Sequence, residues 1–127
     1  MRQQTGSGSP WEDIVGYSRA VRVDNIIEVA GTTAMDDDIL VGEGDVYVQT
    51  KFIFQKIEKA LQQLGSSLND VVRTRMFVTN ITDWEKVGKA YGEFFATIKP
   101  VATMVEVQRL ITDALLIEIE VTAIIST

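Results

Sequence analysis

The side chains that could do chemistry in this protein are carboxylates, tyrosines, hydroxyl groups, lysines and arginines, because the sequence contains neither histidine nor cysteine. Without those two residue types, Ser-His and Cys-His nucleophiles, thiolate-bound metals and the usual near-neutral proton shuttle are excluded. What remains is a carboxylate that activates water or moves a proton, with polar or cationic groups to orient a ligand.

Two short stretches carry such groups at informative spacing. In IEIEV, Glu118 and Glu120 alternate with apolar residues, so a strand would place both carboxylates on one face. In GYSRAV, Tyr17 and Arg19 alternate in the same way. The run Asp36–Asp38 lacks the ligand spacing and turn glycine of a calcium loop, so no metal site is predicted.

The amino-acid composition limits the classes of function that this protein can have. A chain of 127 residues fits one domain that buries roughly two-thirds of its unfolded surface. Twelve basic residues against 18 acidic ones give a net charge of −6, and no basic stripe is present, so nucleic acid is not an expected partner. The sequence shows no signal-peptide pattern and no apolar run long enough for a membrane span, which predicts a cytoplasmic protein.

The hydrophobic pattern predicts five strands and two helices in the order ββαβαββ. Asp24-Asn25 is expected to turn a hairpin, Asp45 to cap the first helix, Gly65 to end it, and Thr82 with Glu85 to form a capping box for the second. Polar residues 1–10 are expected to be a flexible tail before a domain at 11–127. The predicted strands are 17–23, 26–31, 71–79, 102–109 and 115–125, and the helices are 46–64 and 82 to just before Pro100.

This order predicts an α+β fold with one sheet and two helices on a single face. On the strand after Pro100, Val101, Thr103 and Val105 are expected to face the helices, and Ala102 and Met104 to face away. We expect the free face of the sheet to be buried against other subunits, because its apolar residues would otherwise be an exposed patch.

Several motifs together resemble the RidA (YjgF-type) family of reactive-intermediate imine and enamine deaminases. They are GYSRAV, the AG that closes the second strand, GSSLNDVVRTRMFVTNITDW, Y.EFF, KP..T.VEV and IEIE.TA, and they span nearly everything after the tail. Each motif alone is weak, but their common order and spacing make the resemblance specific.

The resemblance implies a chorismate-mutase-like fold and a homotrimer with a central barrel and ligand pockets between subunits. It also implies cofactor-independent and metal-independent hydrolysis of a small enamine or imine, such as 2-aminoacrylate, to a 2-keto acid and ammonia. In that comparison Glu118 corresponds to the catalytic residue that activates water, and Tyr17 to a pocket residue. Gly31, Ala102, Thr103 and Met104 complete the corresponding substrate-binding rim.

The sequence departs from the family pattern at Ala102, where catalytic relatives carry an arginine that holds the substrate carboxylate. Arg19 and Arg75 stand where many relatives have uncharged residues, so either could supply a relocated cation. Three alternatives follow: a ligand without a carboxylate, a cation from elsewhere, or loss of the reaction.

Structural explanations exist for each of these residues. Glu118 could be a carboxylate satisfied at a subunit interface, Tyr17 an amphipathic interface residue, and the two arginines could be solvated ion-pair partners. Two functions therefore stay open. One is hydrolytic deamination of an imine, with 2-aminoacrylate disfavoured by Ala102, and the other is a non-catalytic trimer that binds a small ligand or a protein.

Overall fold

A computed structural model of the chain describes residues 1–126 and contains one six-stranded sheet, two α-helices and a separate two-stranded hairpin. The strand order of the main sheet is β1-β2-β3-β8-β6-β7, and every neighbouring pair is antiparallel except β6 and β7. The elements are β1 Arg2–Thr5, β2 Ala20–Val23, β3 Ile26–Thr32, β4 Met35–Asp36, β5 Ile39–Leu40, α1 Val46–Gln63, β6 Val71–Val78, α2 Trp84–Phe95, β7 Val101–Glu106 and β8 Ile117–Ile124.

The first helix begins and ends where local sequence signals place its ends. The Asp45 side chain accepts a hydrogen bond from the backbone N–H of Val48, which satisfies one of the free donors of the first turn. At the other end Gly65 has φ of 80°, a left-handed conformation that glycine adopts without steric cost. Both predicted caps of α1 are confirmed.

The second helix begins differently from the prediction, and the expected capping box is wrong. The Thr82 hydroxyl donates to Asn80 Oδ1 at 2.6 Å inside a single 3-10 turn, so it does not cap α2. Asp83 occupies the N-cap position without a side-chain hydrogen bond. After Phe95 the chain turns, and Lys99 takes φ of 54° immediately before Pro100, the residue that precedes β7.

The hydrophobic core lies between the sheet and the two helices. Phe54 of α1 is fully buried and packs edge-on against Tyr91 and Phe95 of α2, with ring centroids 5.6 and 5.1 Å apart. Ile117 and Ile119 of β8 are also fully buried. Their alternation therefore turns the neighbouring Glu118 toward the other face of the sheet, as predicted.

The two faces of strand β7 are the reverse of the prediction, because the residues predicted to face the helices lie on the other side of the sheet. Val101 and Val105 are 56% and 42% exposed, whereas Met104 packs against the core. The expectation that Val101, Thr103 and Val105 face the helices is therefore wrong.

The reason is the register of β7 with its neighbour. Thr74 pairs with Ala102 and Met76 with Met104 in the parallel ladder, and residues in register point to the same side of a sheet. Thr74 and Met76 are buried, and the Thr74 hydroxyl lies 3.0 Å from the Tyr91 hydroxyl of α2. Ala102 consequently lies on the helix side of the sheet.

The N-terminal residues are more ordered than their composition indicates. Arg2–Thr5 forms strand β1, which pairs with β2 and extends the sheet by one strand. The side chains of these residues are polar on both faces of the strand, so backbone hydrogen bonds hold the strand in the sheet. The sequence therefore lacks the alternating hydrophobic pattern from which a strand could be predicted. The expected flexible tail is thus partly a strand.

Within residues 1–126 no helix is long and apolar enough to cross a lipid bilayer.

Candidate functional site

Glu118 lies directly over the backbone of Gly31 on the neighbouring strand. The ladder between β3 and β8 shifts register between Val29 and Thr32, an irregularity of the kind that often re-aims side chains near functional sites. A Cβ atom at position 31 would collide with Glu118 Oε2 and come within 2.9 Å of Glu118 Cδ. Because residue 31 is a glycine, the carboxyl group of Glu118 can occupy the space that a Cβ atom would otherwise fill.

The surroundings of Glu118 favour its protonated form more than water does. Burial of the carboxyl raises its pKa, the nearby charge of Glu120 raises it further, and the guanidinium of Arg19 opposes both effects. A carboxyl group with a raised pKa is a better proton acceptor when it is ionised. A raised pKa is the direction expected of a carboxyl group that accepts a proton.

Arg19 is the predicted cation that the structure places beside Glu118 and Gly31. The residue is 9% exposed, and its Nη1 donates to the carbonyl oxygen of Gly31 at 2.8 Å and to Thr32 Oγ1 at 3.0 Å. Both acceptors belong to the irregular part of β3. Arg19 thus fixes the backbone on which the carboxyl of Glu118 rests.

A residue that the sequence did not single out, Glu12, completes the surroundings of Arg19. Its Oε2 lies 4.0 Å from Arg19 Nε, and its carboxylate accepts hydrogen bonds from the Ser7 N–H and from the Ser7 hydroxyl at 2.7 Å. A Cβ at Gly6 would stand 2.7 Å from Glu12 Oε1, so glycine permits this close approach. Glu12 is the buried counter-charge of Arg19.

Glu12 lies on a helical turn whose last residues, Glu12–Gly16, form a π-helical turn. The signal that could have identified this turn is SPWE, in which Ser9 stands at the N-cap, proline follows, and glutamate stands three residues on. The backbone N–H of Trp11 donates to Ser9 Oγ at 3.3 Å, consistent with that role.

Two further side chains border this group. Tyr17 is 39% exposed, its N–H donates to the Glu12 carbonyl at 3.0 Å, and its ring lies 5.8 Å from Arg19 Cζ. Lys56 of α1 donates from Nζ to the Met35 carbonyl at 2.9 Å. Burial lowers the pKa of Lys56, and the charge of Arg19 lowers it further. We call Glu12, Tyr17, Arg19, Gly31 and Glu118 the Glu118 cluster.

Arg75, the second candidate cation, lies elsewhere on the free face of the sheet. Its Nη1 is 3.8 Å from Glu120 Oε1, and both side chains are about half exposed. A shallow depression of about 300 Å³ opens beside them, and Glu118 is not among the residues that line it. The lining includes Ser18, Glu28, Arg73, Arg75, Glu120 and Thr122.

The remaining predicted rim residues, Ala102, Thr103 and Met104, lie on β7, with the whole of β6 between them and the strand of Glu118. We call these three residues the β7 edge. One chain therefore brings together Tyr17, Arg19, Gly31 and Glu118, and it leaves the β7 edge apart from them.

No group of three or more acidic side chains within residues 1–126 is arranged to hold a metal ion.

Comparison with known proteins places these features in a wider set. The family model described as endoribonuclease L-PSP matches residues 9–125. An uncharacterized protein of Streptomyces coelicolor, SCO2049, is 42% identical over 117 residues, which cover 92% of this chain and 87% of that protein. The 3-aminoacrylate deaminase RutC of Acinetobacter baylyi is 31% identical over 101 residues, which cover 79% and 80% of the two chains.

A solved structure is similar over almost the whole chain. It is the crystal structure of Rv2704 from Mycobacterium tuberculosis, described as a member of the YjgF/YER057c/UK114 family. The two chains are 46% identical, and the match covers 98% of this chain and 100% of Rv2704 with a TM-score of 0.90.

Proposed function

The chain belongs to the endoribonuclease L-PSP family, which includes the YjgF and RutC proteins, and from this membership we propose that it hydrolyses a small imine or enamine. The proposed products are a carbonyl compound and ammonia. Glu118 is the proposed catalytic residue, and Tyr17 and Gly31 shape the pocket around it. We also propose that the protein works in the cytoplasm.

The proposed chemistry needs one base and one water molecule. Ionised Glu118 takes a proton from water while the water oxygen forms a bond to the carbon of the C=N group. The same carboxyl then returns that proton to the nitrogen. Glu118 then moves the second hydrogen of the water, now on the hydroxyl group, to the amino nitrogen, and the C–N bond breaks as the C=O bond forms and ammonia leaves. Atoms and charges balance without an oxidant, a reductant or a metal.

The observation that carries this proposal is the position of the Glu118 carboxyl, half-buried over Gly31. Its pKa is raised chiefly by burial. A carboxylate that served only as a solvated surface charge would not need a glycine beneath it. A positioned base typically contributes about 10²- to 10⁴-fold to the rate of such a step.

The proposed working form is a homotrimer in which the free sheet faces meet in a central barrel and the β7 edge of one subunit reaches the Glu118 cluster of another. The exposed Val101 and Val105 on this face support burial by another copy. The separation of the two regions within one chain also supports a shared site.

A second function is favoured by the methyl group at Ala102. Removal of an arginine that holds a carboxylate typically costs roughly 3–5 kcal/mol, which corresponds to two or three orders of magnitude in affinity or rate. The alternative is therefore a non-catalytic trimer that captures a small ligand or a protein. Nuclease activity is disfavoured, because a net charge of −6 repels phosphates.

Ammonia release distinguishes these functions. Imines are generated in place by an amino-acid oxidase or an amine oxidase, and the rate of hydrolysis is compared for the wild type, Glu118→Ala and Glu120→Ala. We expect Glu118→Ala to lose the acceleration and Glu120→Ala, which removes an equal charge from the same face, to keep it. An unchanged rate in Glu118→Ala would remove Glu118 from the mechanism. Capture of a metabolite in native mass spectrometry, with no turnover of any imine, would establish the alternative.

A further inference from the structure

The positive charge of Arg19 inside the Glu118 cluster is already balanced by a carboxylate of the protein itself. Arg19 is nine-tenths buried and uses Nη1 for the Gly31 carbonyl and Thr32 Oγ1. Its charge faces the Glu12 carboxylate at 4.0 Å. Arg19 Nε is buried and has no hydrogen-bond partner among the described residues, so a ligand carboxylate that reached this guanidinium would lie close to the negative charge of Glu12.

Glu12 is held too firmly to be displaced easily. Its carboxylate receives hydrogen bonds from both the backbone and the hydroxyl of Ser7, it rests against Gly6, and its side chain is only 10% exposed. Hydrogen bonds to a charged group are roughly twice as strong as those between neutral groups. Breaking this arrangement would leave a buried carboxylate without partners, which is costly.

The charges of this chain around the cluster include no surplus cation. Glu12 and Glu118 are opposed by Arg19 and Lys56, and further negative charges act on Glu118 from Glu120 and on Lys56 from Asp36 and Asp37. A bound carboxylate would add a further negative group to a partly desolvated region that has no surplus cation. Arg75 does not relieve this, because it already faces Glu120 on the free sheet face.

From these contacts we propose that Glu12 makes the site selective for C=N compounds that carry no carboxylate. This inference rests on the proposed function and names its substrate class, which is the uncharged imines of primary amines and their cationic iminium forms. An iminium ion would place its positive charge near the Glu118 carboxylate, which attracts it. The carboxylate of an imino acid would instead be repelled by the negative charges of Glu12 and Glu118.

This substrate class also defines the reaction that must supply it. An imine without a carboxylate arises by two-electron oxidation of a primary amine, with the electrons passing to the oxidising enzyme's own acceptor. Elimination from an amino acid, in contrast, leaves the carboxylate in place. The structure thus assigns the hydrolysis to the step that follows oxidation of an amine. The products of this hydrolysis are an aldehyde or a ketone, together with ammonia.

A matched pair of substrates tests the selectivity. Amine oxidase acting on 2-phenylethylamine and amino-acid oxidase acting on phenylalanine give imines with the same ring that differ in the carboxylate. We expect the wild type to accelerate hydrolysis of the first imine about tenfold more than the second, and Glu12→Gln to shift that ratio about tenfold toward the second. Asp13→Asn removes an equal charge from an exposed neighbour on the same turn and should leave the ratio unchanged.

A binding measurement separates failure of this inference from failure of the proposed function. Calorimetry compares phenylpyruvate with phenylacetone, in which a methyl group replaces the carboxylate. The inference expects tighter binding of phenylacetone by the wild type and a gain in phenylpyruvate affinity of about tenfold in Glu12→Gln. Preferential binding of phenylpyruvate by the wild type, or equal responses of Glu12→Gln and Asp13→Asn, would overturn the inference even if imines are hydrolysed. Absence of acceleration with both imines would instead overturn the proposed function.

Discussion

The Glu118 cluster and the β7 edge lie on the same sheet but differ sharply in chemistry. The cluster concentrates two carboxylates and a buried guanidinium around an irregularity in β3. The β7 edge carries a methyl group, a hydroxyl and a thioether in a regular parallel ladder. Ionisable side chains are therefore concentrated in one region, while the three residues of the other region are uncharged.

Under the proposed function, this difference means that the chain keeps the fold and the proposed catalytic carboxyl of the family while the residues proposed to hold the ligand differ. Glu118 depends on Gly31 and Arg19, which lie within the same chain. At the β7 edge, Ala102 and Thr103 are exposed on the outermost strand of the sheet, so the side chain at position 102 can vary without disturbing the core.

The largest effect is expected from a methyl group placed beneath the carboxyl of Glu118. Gly31→Ala puts a Cβ within 2.9 Å of Glu118 Cδ, so the carboxyl must move. Imine hydrolysis should fall about 100-fold because the base is displaced. The free energy of unfolding should fall by about 1–3 kcal/mol, as is typical of overpacking. Steady-state kinetics and chemical denaturation measure the two effects.

Gly88→Ala is the matched control for this change, because a Cβ at position 88 of α2 meets no atom within 4 Å outside the backbone of its own helix. Alanine is favoured over glycine inside a helix, so this variant should gain roughly 0.5–1 kcal/mol of stability and keep its activity. If Gly31→Ala behaved like Gly88→Ala, the position of Glu118 would not matter to the reaction.

A smaller effect is expected from restoring a charge to the β7 edge. Ala102→Arg adds a guanidinium at an exposed position, so stability should hardly change, and carboxylate-bearing imines such as 2-aminoacrylate should be hydrolysed about tenfold faster. Val101→Arg places the same charge on the adjacent residue, which faces the other side of the sheet. Equal gains in both variants would show a general charge effect, and no gain in Ala102→Arg would contradict the role given to position 102.

The smallest effects are shifts of the acidic limb of the pH-rate profile. Activity requires ionised Glu118, so the rate falls as the pH drops through the pKa of that group, which burial raises. Glu120→Gln removes a charge that raises this pKa, and its limb should move to lower pH. Arg19→Gln removes a charge that lowers the pKa, and its limb should move to higher pH. Shifts in the same direction in both variants would contradict this electrostatic arrangement.

Elements with strong local signals could be predicted from the sequence. Helix α1 is bounded by Asp45 and Gly65, whose side-chain acceptor and left-handed backbone act within a few residues. The alternation of Ile117 and Ile119 with Glu118 likewise assigned the faces of β8. These features depend on neighbours along the chain, so the sequence specifies them directly.

Features that depend on distant partners were missed. The faces of β7 could not be decided from VATMVE, because both sets of alternating residues include apolar members and pairing with β6 makes the choice. The role of Glu12 was hidden because its carboxylate meets Arg19, seven residues on, only when the N-terminal segment folds over β2. How the β7 edge enters the site was predicted from the resemblance alone and stays a prediction.

The central claim, that the Glu118 carboxylate activates water, is tested most directly by the rate of ammonia release from the imine of 2-phenylethylamine as a function of pH. Wild type and Glu118→Gln are compared, with the spontaneous hydrolysis rate subtracted. For the wild type we predict a rate that falls as the pH drops through the pKa of Glu118. For Glu118→Gln we predict a rate that is lower by about 100-fold or more and that lacks this fall at acidic pH. A Glu118→Gln protein that kept both the rate and the acidic limb of the wild type would contradict the claim.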